Sequence, residues 1–99
     1  MPDPLETIRK IDPVFMKSFE AADAFAFSDG ALPRKVKLLM AMAFDAVNGA
    51  ANGVAALARS AMKEGATKEE IAETIRVAVN LGGVGAAYVA SEALKGVVG

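Results

Sequence analysis

Apolar residues recur along this chain at intervals of three and four, the period of helices that turn one face inward. The pattern is densest from 34 to 48. There Val36, Leu39, Met40, Ala43, Phe44 and Val47 form a stripe expected to face the core, with Leu38, Met42 and Asp45 in a second stripe beside it. The same period returns in Val54, Leu57, Ala58, Ala61 and Met62, and again in Ile71, Ile75, Ala78 and Val79. An earlier stretch carries Phe15, Phe19 and Ala22 on one face. No run alternates with period two over the length of a strand.

Helix punctuation agrees with the pattern. Asp3-Pro4 with Glu6, and then Asp12-Pro13, place a capping side chain before a proline suited to the first helical turn. Leu32-Pro33 opens a helix that the Asn48-Gly49 pair closes, and a fourth is expected from about Ala51 to Glu64, ending at Gly65. Thr67 and Glu70 have the spacing of a capping box, Gly82-Gly83 breaks the helix they open, and a last helix is expected from Val84 to Val97. The spacing predicts an all-α, compact bundle of about five to six helices, one domain over 1–99.

Composition adds a constraint. Hydrophobic residues make up 54% of 99 positions, more than the interior of so small a domain can hide. A membrane span is one way to cover such surface, but the most apolar stretch, Leu38 to Ala58, contains Asp45, Asn48 and Asn52. An aspartate near mid-span costs roughly 3 kcal/mol, and alanine returns little. The expected cover is therefore other copies of the chain: a homo-oligomer built through its central helices. The net charge of -1 without a basic patch argues against nucleic acid. The acidic, proline-containing start is unlike a leader peptide, and the lack of cysteine fits a reducing, cytoplasmic setting.

The chain has neither cysteine nor histidine, which excludes thiol and imidazole chemistry. No carboxylate spacing suits a calcium loop, so neither metal nor cofactor is expected. Gly82 to Gly85 follows a helix and lacks the lysine-serine or lysine-threonine pair of a phosphate loop.

Leu32-Pro33-Arg34-Lys35, then Asn48-Gly49 with Asn52-Gly53, then Gly65-Ala66-Thr67-Lys68-Glu69-Glu70, then Leu81-Gly82-Gly83 follow one another in an informative order and spacing. From about Leu5 to Leu94 the chain resembles the carboxymuconolactone decarboxylase family, which includes the alkylhydroperoxidase D proteins. That resemblance implies an alkylhydroperoxidase D-like all-α fold assembled as a trimer or hexamer. Redox members of the family carry a Cys-x-x-Cys pair at a helix start, a histidine four residues later and a glutamate one helix earlier. By the resemblance these positions fall on Ala50, Gly53, Leu57 and Leu38, none of which ionises. The redox activity therefore does not carry over, and Leu57 also removes the histidine that decarboxylating members keep.

Two polar residues stand out near these positions. Asp45 is the only charge between Lys37 and Arg59 and lies seven residues past Leu38, about 10 Å along the same helix face. A buried carboxylate needs a partner, so a pair with Arg59 or Arg76, within the subunit or across an interface, is expected; the other reading makes Asp45 an acid-base group. Tyr88 offers a hydroxyl that could meet a ligand or a backbone carbonyl. The expected function is a non-redox oligomer, a pseudoenzyme or a binder of a small apolar ligand. Its pocket would be lined by Leu38, Phe44, Ala50, Gly53 and Leu57. The alternative is an enzyme on a small carboxylate or lactone, with Asp45 or Tyr88 in acid-base roles and Arg34 or Arg59 holding substrate. Polar groups converging on the pocket would favour the enzyme.

Overall fold

The computed structural model describes residues 3–99, so Met1 and Pro2, at the head of the stretch read for a leader, lie outside the described residues. The helices are α1 (Glu6–Ile11), α2 (Pro13–Ala26), α3 (Arg34–Val47), α4 (Ala51–Lys63), α5 (Lys68–Gly82) and α6 (Gly85–Leu94). No helix among the described residues is long and apolar enough to cross a membrane.

The punctuation works largely as the sequence suggests. The Asp12 side chain accepts from the Phe15 amide at 3.1 Å, with Pro13 as the first helical residue. Asp3 accepts from the Leu5 amide at 3.0 Å, but the regular helix begins only at Glu6. Thr67 and Glu70 exchange both bonds of the capping box, at 3.0 and 2.8 Å. The Thr67 amide, then Lys35 Nζ at 3.0 Å, hold the Glu70 carboxyl below its ordinary pKa and tie the start of α5 to α3. Gly49, at φ 79°, and Gly65, at φ 96°, take the left-handed turns after α3 and α4. The last helix stops three residues short of Val97, because the Val97 and Val98 amides both turn back to the Leu94 carbonyl.

The core lies among α3, α4, α5 and α6, with α3 packed on the other three. Seven of its twelve buried residues are alanine: Ala46, Ala58, Ala61, Ala66, Ala78, Ala86 and Ala90. Small side chains let the helix axes approach closely, but each buries little apolar area, so the core is economical. The large fully buried side chains are Met42, Ile71 and Val54.

The face of α3 that points inward overlaps the expected one only in part: Leu39 is buried and Ala43 packs against the core as expected. Leu38, Leu39, Met42 and Ala46 are buried, whereas Met40, Phe44 and Val47 of the expected core stripe are exposed. Both stripes have helical period, and periodicity identifies apolar faces without saying which one meets the subunit's own core. The expected inward face of α2 is likewise turned out, since Phe15, Phe19 and Ala22 are exposed and Met16 is its buried residue. Helix α2 packs closely on α1 and stands off from the rest of the bundle.

Candidate binding cleft

The gap left by α2 is a cleft of about 570 Å³. Four helices line it at intervals of three and four, so each contributes one face. Leu5 and Arg9 come from the first turn and α1; Phe19, Glu20, Asp23 and Ala24 come from α2, with Phe27 just beyond. Arg34 and Leu38 come from α3, and Leu57 and Ser60 from α4. The floor is apolar and the rim charged.

The rim is partly neutralised from within. Arg9 donates to Asp3 and to Glu20, which fastens α1 to α2 across the mouth of the cleft. Its bond from Arg9 is the main reason the Asp3 carboxyl sits below its ordinary value, and Asp3 in turn raises the Arg9 guanidinium. The Arg34 guanidinium lies 5.9 Å from the centre of the Phe27 ring, and its Nη1 donates to the Phe27 carbonyl at 3.4 Å. Lys37 Nζ donates to the Ser28 carbonyl at 2.7 Å, and the Arg34 amide to Asp29 at 2.7 Å. These contacts hold the turn after α2 against the start of α3 and so set the width of the cleft.

The four positions read as the vacated redox site are split between two places. Leu38 and Leu57 meet on the cleft; Ala50 and Gly53 do not line it. At Gly53 the space beside the helix is filled. Asp45 Oδ2 occupies the space that a Cβ at 53 would need, and Asp45 Cγ lies 2.9 Å from that point. Phe44 lines a separate groove of about 340 Å³ with Met40, Ala43, Val47, Val77, Ala78, Leu81 and Gly82. Tyr88, on α6, is exposed and lines neither space.

The expected pairing of Asp45 inside the subunit is not found. Asp45 is half-buried, Arg59 and Arg76 are exposed, and none of the ion pairs among the described residues includes it. Its carboxylate lies instead against the first turn of α4, whose N-cap Ala50 provides no side-chain acceptor. The positive end of a helix favours a carboxylate there without a cation.

Sequence reasoning missed Arg9, Glu20 and Asp23 as cleft residues. They sit on short or isolated helices whose docking no local pattern specifies. The spacing of Phe19, Asp23 and Phe27, one helical turn apart, was the available signal, with a charge set inside an aromatic stripe.

Comparison with known proteins agrees with this architecture. Residues 13–96 match the Carboxymuconolactone decarboxylase family. An uncharacterised protein of Cupriavidus necator is 34% identical over 82 residues, spanning 83% of this chain and 73% of that protein. The crystal structure of apo-lpg0406, a carboxymuconolactone decarboxylase family protein from Legionella pneumophila, superposes with a TM-score of 0.84 at 35% identity, covering 92% of this chain and 81% of that one. With its helices, their order and most of its length matched, the chain belongs to the carboxymuconolactone decarboxylase family.

Proposed function

We propose that this chain is a non-redox member of the family that works as a homo-oligomer, trimer or hexamer, and binds a small molecule in the cleft over Leu38 and Leu57. The observation that carries the reading is the composition of that cleft. Where redox members place ionisable groups, this chain places two leucines, and charged side chains on α1, α2 and α3 converge around them. An apolar floor with a few polar groups at its edge suits a small ligand with a hydrophobic body and a charged end. The lack of cysteine supports action in a reducing compartment, the cytoplasm, and removes the thiolate that peroxide reduction requires.

The alternative reading, turnover of a small carboxylate or lactone, retains Arg34 at the cleft as the substrate-binding group. The charged groups that converge on the cleft count towards this reading, but its acid-base candidates, Asp45 and Tyr88, lie off the cleft, so binding is the function the geometry supports best.

The test is calorimetric titration with 3-phenylpropanoate, a phenyl ring carrying one carboxylate. Binding is expected in the native protein and is expected to be lost in Leu57→Trp, which fills the floor. Leu57 is only half-buried, so the larger side chain has room to be accommodated without unfolding the core. Equal binding to both proteins would place the ligand elsewhere and overturn the reading.

A further inference from the structure

The charges around the cleft specify more than a hydrophobic ligand with one charged end. Arg9 and Glu20 are engaged with each other, and Arg9 also with Asp3, so neither is free to dominate recognition. Arg34 and Asp23 remain. Arg34 has five N–H donors. One reaches the Phe27 carbonyl, and the nearest acid, Glu64, stands at 4.0 Å, the outer limit of an ion pair. Asp23 lines the cleft without an ion pair or a side-chain hydrogen bond among the described residues.

Their relative placement follows from α2. Asp23 and Phe27 are one helical turn apart on the same face, about 5–6 Å between Cβ atoms. Arg34 lies over the Phe27 ring. The unpaired Asp23 carboxylate and the Arg34 guanidinium, whose one ion pair to Glu64 is long, line the same cleft on either side of Phe27, yet no ion pair joins them. A simple anion at Arg34 would also meet the field of Asp23, and a simple cation at Asp23 would meet Arg34. A ligand carrying both charges satisfies both groups.

We propose that the cleft takes a small zwitterion with an apolar side group: an amino-acid-like molecule whose carboxylate meets Arg34, whose ammonium meets Asp23 and whose side group lies on Leu38 and Leu57. The proposal rests on the reading of this cleft as a ligand site. Because both anchoring groups are solvent-accessible, the gain from each charge is moderate, and selectivity comes from needing the two together.

Three probes sharing a phenyl ring separate the possibilities: phenylalanine, 3-phenylpropanoate and 2-phenylethylammonium. Phenylalanine is expected to bind about tenfold more tightly than either analogue, the scale of one partly exposed charge-assisted contact. Asp23→Asn is expected to bring phenylalanine down to the level of 3-phenylpropanoate without weakening 3-phenylpropanoate itself. Asp23 is exposed, and circular dichroism would confirm that the variant is folded. Binding of 3-phenylpropanoate as tight as that of phenylalanine, or phenylalanine binding unaffected by Asp23→Asn, would overturn the zwitterion proposal and leave the cleft standing as a ligand site. Failure of all three probes to bind would overturn both.

Discussion

The chain carrying Phe44→Asp and Leu81→Asp is expected to be a monomer, and the native chain under the same conditions the proposed trimer or hexamer. Phe44 is 68% and Leu81 81% exposed in the isolated subunit, and both line the apolar groove between α3 and α5. Their replacement should leave the subunit's own core intact, because that core is formed by the other face of α3 and by Ile71 and Ala78 of α5. Covering such side chains in an interface contributes roughly 2 kcal/mol each, and an aspartate in the same place adds the cost of burying an unpaired charge. Every copy carries both changes, so the penalty recurs at each contact of a symmetric assembly. Light scattering beside circular dichroism reads the outcome. Helical monomers are expected; a variant that keeps the native mass would show that this groove is not where the copies meet.

The second effect concerns Asp45 and Gly53, and its sign depends on the background. Gly53→Ala is expected to destabilise the native chain modestly, by no more than about 1 kcal/mol, because the far end of the Asp45 side chain must turn away to admit the new Cβ. In an Asp45→Ala background the clash is gone. There the same substitution should stabilise the fold by up to about 1 kcal/mol, the advantage of alanine over glycine in a helix. Asp45→Asn alone should cost no more than about 1 kcal/mol, since the carboxylate is half-buried beside the first turn of α4 and pairs with no arginine of the subunit. Urea unfolding of the two single variants and the double variant gives the coupling directly. Additive effects would contradict the close approach of Asp45 to α4.

These two sites mark where the sequence was legible and where it was not. The caps at Asp12 and Thr67 and the turns at Gly49 and Gly65 were readable because local chemistry decides them: a short acceptor side chain, or a backbone angle that glycine adopts freely. The inward face of α3 was not. Leu38-Leu39-Met42-Ala46 and Met40-Phe44-Val47 are both apolar, and only the placement of the other helices selects the first for the core. The filled space at Gly53 was also invisible, since it arises from a close approach of α3 to α4. The cleft was half-legible. Leu38 and Leu57 were paired through the family resemblance, while Arg9, Glu20 and Asp23 reach it through the position of α1 and α2, which tertiary structure alone fixes.

The apolar groove and the cleft are separate spaces, and the account assigns them different partners: another copy of the chain to the first, a small molecule to the second. The most direct measurement is a crystal structure of the native assembly with 3-phenylpropanoate bound. The account predicts its ring against Leu38 and Leu57 and its carboxylate at Arg34, with the groove at Phe44 and Leu81 covered by a neighbouring subunit. A probe seated in the α3–α5 groove, with the cleft over Leu57 empty, would contradict it.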